Sequence, residues 1–149
     1  MSARSVMNKI ILDASVGLKW FFNEIYSAEA IKLMTDIRSR SLSAIVPFSF
    51  YTECANVLWE KTRKKMVRFE RAHEALEDIR KLPLQGHLHE NLEDVAYANA
   101  CIYGITVYDA LYVSLAEVYA APLVTADEAL LKACKGKFNF IEHLKDFQG

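Results

Sequence analysis

The stretch Ile10-Ile11-Leu12-Asp13 decides how this chain is read. Three consecutive apolar residues are too few for a helix and suit a short strand buried on both faces, so Lys9–Leu12 is read as a strand. A carboxylate directly behind such a strand is hard to explain as plain solvation, because buried charges are normally paired or bound to metal. The pattern recurs far along the chain, where Leu123-Val124-Thr125 reads as a second buried strand and Asp127 follows two residues later. Two more acids sit in apolar surroundings: Glu53 within Phe48–Trp59 and Asp109 within Ile105–Val113.

Working outward, helical and strand patterns alternate. Ser15–Phe22 and the amphipathic Ser27–Arg40, with Ala30, Ile31, Met34 and Ile37 at helical spacing, read as helices. Ala44–Val46 reads as a strand closed by Pro47. Ser49 is expected to cap a long helix reaching about Lys65, with another over Phe69–Leu82. Leu84–Leu88 reads as a strand. Glu90–Tyr103 is expected to be helical, ending at Gly104, followed by helices over Thr106–Tyr119 and Asp127–Ala133 and a last strand over Phe138–Ile141. The expectation is an α/β protein, a three-layer α/β/α sandwich with a short, mainly parallel central sheet. At 149 residues the chain suits one domain, 1–149, with 1–7 as a loose N-terminal extension and Met7 as an alternative start.

In such sheets ligands bind beyond the carboxyl ends of the strands. Asp13 and Asp127 follow strands directly, and Glu53 and Asp109 are expected in the first turns of helices that begin at that same edge. The topology therefore gathers all four. Each acid also has a plainer reading as a helix cap: Asp13 ahead of Ser15, Glu53 with Ser49, Asp109 in the box Thr106-Val107-Tyr108-Asp109, and Asp127 before Glu128. Convergence favours the first reading, because four close carboxylates repel one another unless a cation intervenes. An oxygen-only donor set suits Mg²⁺ or Mn²⁺.

The remaining chemistry is sparse. Net charge is −1, so any nucleic-acid contact must come from a local patch, and Lys61-Thr62-Arg63-Lys64-Lys65-Met66-Val67-Arg68 is the most basic segment. Lys61, Arg63, Lys64, Lys65 and Arg68 are either a solvated helix end or a phosphate-tracking patch. Cys54, Cys101 and Cys134 lack metal-ligand spacing and read as buried free thiols in a reducing cytoplasm. His87-Leu88-His89 with Glu90 is a weak transition-metal pattern. His73 and His143 read as surface residues. No apolar run approaches the ~18 residues that span a bilayer, so no membrane role is expected. There is no glycine-rich phosphate loop and no nucleophile elbow.

The acids in this order resemble the PIN-domain nucleases, most closely the VapC-like toxins of prokaryotic toxin–antitoxin systems. The resemblance is carried by Ile11-Leu12-Asp13-Ala14-Ser15-Val16, by Pro47 through Thr52-Glu53 with Asn56-Val57-Leu58, by Thr106–Val113 and by Leu123-Val124-Thr125-Ala126-Asp127. It implies a Mg²⁺- or Mn²⁺-dependent endoribonuclease that cuts RNA, with Asp13, Glu53, Asp109 and Asp127 as catalytic and metal-holding acids. Ser15 and Thr125 fall at the family's small hydroxyl positions near the metal. It further implies a homodimer and a small antitoxin partner; Trp20, Phe21, Phe22 and the helix Ser27–Arg40 read either as the surface for such contacts or, equally, as simple core packing. The alternatives are a housekeeping RNA-processing enzyme without an antitoxin, or a catalytically idle module that binds RNA or protein. A phosphoacceptor domain is disfavoured, since Asp13 has no neighbouring acid and no lysine follows the last strand until Lys145.

Overall fold

The computed structural model describes residues 8–88 and 92–149. In chain order the elements are β1 (Asn8–Leu12), α1 (Ala14–Gly17), α2 (Ser27–Arg38), β2 (Leu42–Pro47), α3 (Ser49–Arg63), α4 (Phe69–Lys81), β3 (Gln85–His87), α5 (Leu92–Tyr103), α6 (Val107–Tyr119), β4 (Leu123–Thr125), α7 (Glu128–Cys134) and β5 (Ile141–His143). Short 3₁₀ turns cover Leu18–Trp20 and Leu144–Asp146. The extension over 1–7 and the pair His89 and Glu90 lie outside the described residues.

The five strands form one parallel sheet in the order β3-β2-β1-β4-β5. The chain begins in the middle and builds outward in both directions. The strand order therefore reverses between β1 and β4, the position where ligands bind in open α/β sheets. Ile10, Ile11, Leu12, Ala44, Ile45, Val46, Leu123 and Val124 are all at most 1% exposed, as strands covered on both faces must be. The helices that cover them add Ile37, Phe50, Leu58, Ile79, Tyr112 and Leu115 to the same core.

Several boundaries differ from the sequence expectation. Strand β5 lies at Ile141–His143, later than Phe138–Ile141. Phe138 belongs instead to the turn after α7: its amide donates to the Cys134 carbonyl at 3.0 Å, and its ring packs on Tyr103 and Phe140. Its apolar character reflects core packing by a loop. The expected helix Ser15–Phe22 is a single turn, α1, tightening into the 3₁₀ turn. Ser49 does not cap α3; Phe48 takes that position and no side chain caps the helix.

Two expectations about burial are also corrected. His143 is 2% exposed, because β5 carries it under the Tyr26 ring. Cys101 is exposed, whereas Cys54 and Cys134 are buried thiols. Of the two readings of Trp20 the structure bears out core packing, its indole N–H donating to the Ala30 carbonyl at 2.8 Å. Among the described residues no single helix is long and apolar enough to cross a membrane, and α5 with α6 passes only as a pair bent by 108°.

Candidate active site

Asp13, Glu53, Asp109 and Asp127 line one cleft of about 590 Å³, together with Ser15, Ser49, Thr52, Asn56 and Tyr108. The cleft stands at the β1/β4 switch point. The backbone of β1 continues into it, since the Asp13 amide donates to the Val124 carbonyl at 3.1 Å.

Asp13 occupies the N-cap position of α1 but caps nothing with its side chain. Its Oδ2 instead accepts from Ser15 Oγ at 2.6 Å and from Thr125 Oγ1 at 2.8 Å. Ser15 Oγ also accepts the Ala126 amide at 3.0 Å, and Thr125 Oγ1 accepts the Asp127 amide at 3.0 Å. The two hydroxyls thus bind the end of β1 to the end of β4. Burial pushes the Asp13 carboxyl upward, the two hydroxyl bonds oppose this, and the charge of Asp127 adds to the upward shift.

Glu53 is the fifth residue of α3 and so stands in its second turn, not its first. Its Oε2 accepts from Tyr112 Oη at 2.6 Å. Its Oε1 is buried without a hydrogen-bond partner, as is Ser49 Oγ one turn earlier on the same helix. Burial raises the Glu53 carboxyl to about 7; the Tyr112 bond lowers it, and the charges of Asp13 and Asp109 raise it again. Asp109 stands in the first turn of α6, where its amide donates to the Thr106 hydroxyl at 3.2 Å. The Thr106 half of the capping box is therefore formed, and the carboxylate faces the cleft. Burial raises it to about 6, followed by the charges of Asp13 and Asp127.

Asp127 does cap α7, its Oδ1 accepting from the Ala129 and Leu130 amides at 2.9 and 3.2 Å. Capping uses one oxygen, so this acid can cap a helix and still face the cleft. The cap and site readings of Asp127 are compatible, whereas Asp13 has given up the cap altogether.

The donor set is all hard oxygen, its charges raise one another, and two polar atoms of α3 are buried unpartnered. These features fit a hard divalent cation. Among the described residues no three carboxylate, imidazole or thiol side chains are drawn together tightly enough to hold one ion by themselves. An ion held there would take water for the rest of its shell, as Mg²⁺ commonly does.

Sequence reading missed Tyr112. The signal was present: Tyr112 follows Asp109 by three residues and so shares its helix face. The basic segment lies mostly away from the cleft. Arg63, Lys64, Lys65 and Arg68 are exposed around the end of α3, with Arg63 stacked 5.3 Å from the Trp59 ring centre. Lys61 is half-buried and paired with Glu24 at 2.9 Å. His87 hydrogen-bonds the Tyr119 hydroxyl at 2.7 Å.

A five-stranded parallel sheet with helices on both faces and an acidic cleft at its switch point defines the class. The chain belongs to the PIN domain family, whose pattern it matches over residues 10–136. It is 30% identical over 124 residues to Ribonuclease VapC3 of Pyrobaculum aerophilum, covering 82% of this chain and 92% of that protein. A Pyrobaculum aerophilum protein of known crystal structure superposes with a TM-score of 0.70 at 23% identity, covering 93% of this chain and 92% of the other. VapBC2 from Rickettsia felis, solved bound to a fragment of promoter DNA, gives 0.61 at 13% identity over 91% and 98%. A toxin–antitoxin complex from Klebsiella pneumoniae gives 0.60 at 14% identity over 91% and 97%. These three share the fold.

Proposed function

We propose that this chain is a Mg²⁺- or Mn²⁺-dependent endoribonuclease acting in the cytoplasm as the toxin of a toxin–antitoxin pair, working as a homodimer and held in check by a small antitoxin. The observation that carries the reading is the meeting of Asp13, Glu53, Asp109 and Asp127 in one cleft at the switch point. The family and the ribonuclease relative support it.

In this reading Asp13, Asp109 and Asp127 would hold the cation, directly or through water, and Glu53 would hold a second ion or orient the attacking water. A bound divalent ion would lower the pKa of its water and stabilise charge on the phosphate. The protein's own part is positional. Ser15 and Thr125 keep the Asp13 carboxylate in one rotamer. Tyr112 fixes Glu53 through Oε2, while Oε1 is buried beside Ser49. The N-terminus of α6, which carries Asp109, adds positive potential for a phosphate. Water attacks phosphorus, the P–O bond to the leaving ribose oxygen breaks, and that oxygen takes up a proton.

Purified protein should cleave single-stranded RNA with Mn²⁺ and not with EDTA. Asp109→Asn should remove cleavage while the circular dichroism spectrum stays unchanged. Full activity in Asp109→Asn protein would overturn the assignment. A protein that binds RNA but cleaves none with either metal would be the idle binding module.

A further inference from the structure

Beyond Leu18 and Val57, which line the cleft, one lip carries cations that are fixed in place. Lys61 follows Val57 by one turn of α3 and shares the helix face that carries Glu53. Its Nζ lies 2.9 Å from Glu24 Oε1 and 5.3 Å from the Phe22 ring centre. Lys19, next to Leu18, places its Nζ 3.5 Å from Glu24 Oε2. Arg71 of α4 donates to the Phe21 carbonyl at 2.6 Å, and its guanidinium stands 5.5 Å from the same Phe22 ring.

The loop that gathers these groups is itself fastened. Ser27 Oγ donates to the Phe22 carbonyl at 2.9 Å and accepts the Glu24 amide at 2.8 Å. The Lys19 and Lys61 side chains are only 11% and 20% exposed, so their ammonium groups are aimed rather than free in solvent. Burial pushes the Glu24 carboxyl up, but the Lys61 hydrogen bond and the charges of Lys61 and Lys19 outweigh it and hold the group below its ordinary value. Arg71 is itself paired with Glu74 Oε2 at 3.6 Å, so Lys19 and Lys61 share the single Glu24 carboxylate and the lip keeps one net positive charge beside an acidic cleft.

Glu24 presents its two oxygens to two lysines, one each. A phosphodiester group has the same complement, two unesterified oxygens, and lysine binds phosphate as a point charge. Lys19 adjoins Leu18 in sequence and Lys61 stands one turn beyond Val57, so the pair borders the cleft wall at those two residues. We propose that Lys19 and Lys61 form a subsite for a backbone phosphate of single-stranded RNA outside the cleaved bond, and that Glu24 occupies this subsite in the resting protein and is displaced by the substrate. The subsite rests on the nuclease reading, and it assigns substrate binding to Lys19 and Lys61 rather than to Arg63, Lys64, Lys65 and Arg68.

The test measures binding of a short fluorescein-labelled single-stranded RNA by anisotropy, in EDTA, across a salt series. Glu24→Gln keeps the shape and the Ser27 contact to the backbone, and it should bind RNA roughly two- to fivefold tighter, the range one released ion pair supports. Lys61→Gln should bind more weakly, with the slope of log K against log salt reduced by about 0.7. Lys81→Gln, at the opposite end of α4, should change neither. Unchanged or weaker RNA binding by Glu24→Gln, with an unchanged slope for Lys61→Gln, overturns the proposal. Tighter binding of an acidic peptide by Glu24→Gln without tighter RNA binding also overturns it, and assigns the lip to a protein partner. Cleavage by the unsubstituted protein with Mn²⁺ is scored separately. If RNA is cleaved while these variants bind normally, the subsite fails and the nuclease reading stands.

Discussion

Thr125 Oγ1 donates to Asp13 Oδ2 at 2.8 Å across 112 positions of sequence, and it accepts the Asp127 amide at 3.0 Å. One fully buried hydroxyl therefore sets the rotamer of one acid and the backbone of another. Thr125→Val keeps the shape, strands the Asp127 amide and leaves Asp13 Oδ2 with the Ser15 hydroxyl alone. Leaving such groups unsatisfied costs about 1–3 kcal/mol, so the urea midpoint should fall. RNA cleavage should drop at least about tenfold, while Thr125→Ser retains most of both. A Thr125→Val protein with unchanged stability and activity would refute the role.

Tyr112 is wholly buried and donates to Glu53 Oε2 at 2.6 Å. Tyr112→Phe preserves the ring packing and releases the carboxylate. The variant should fold, lose about 1 kcal/mol of stability, and cleave RNA about tenfold more slowly through kcat with KM unchanged. A change confined to KM would mean that Tyr112 shapes substrate binding instead.

The acids make metal-free stability depend on pH in an unusual direction. Glu53 is raised to about 7 and Asp109 to about 6 from ordinary values of 4.5 and 3.8. The folded state thus binds these protons more tightly than the unfolded chain does. Their stabilising effect is complete below the ordinary carboxylate range and is lost as pH rises through about 4 to 7. In EDTA the melting temperature should fall across that window, and Glu53→Gln should flatten the fall. Saturating Mn²⁺ should restore stability at the upper end, because it binds the folded protein preferentially.

Asp13 at the head of α1 and Glu53 on α3 meet where these helices pack closely. A Cβ at Gly17 would stand 3.1 Å from Phe50 Cζ, and Phe50 is fully buried. Gly17→Ala should cost about 1–3 kcal/mol by overpacking and slow RNA cleavage in parallel. Gly104→Ala meets nothing nearby but forces a side chain onto φ +67°. That substitution should cost about 1–2 kcal/mol from backbone strain alone, with cleavage unaffected when assayed well below the melting temperature.

Much of this was legible from local pattern. Ile10–Leu12 and Leu123–Thr125 are strands because short runs led by consecutive branched apolar residues have no exposed face to present. The alternation of such runs with helical spacing implies parallel pairing, and parallel pairing places Asp13 and Asp127 at one edge. The failures were also local. Phe138 carries the apolar signature of a strand but packs into the core from a loop, and no nearest-neighbour pattern separates those cases. His143 has the polarity of a surface residue and is buried because β5 happens to run beneath Tyr26.

The sequence alone determined the fold class, the edge of the sheet that matters and the four acids that meet there, because strand period and strand order follow from short-range sterics and apolar burial. Only the tertiary structure decided which partner each carboxylate takes: Thr125 and Ser15 for Asp13, Tyr112 for Glu53, the α7 amides for Asp127. It also decided that Lys61 faces Glu24 rather than open solvent. Those choices depend on distances between residues remote in the chain, and such distances are set by packing that no local pattern encodes.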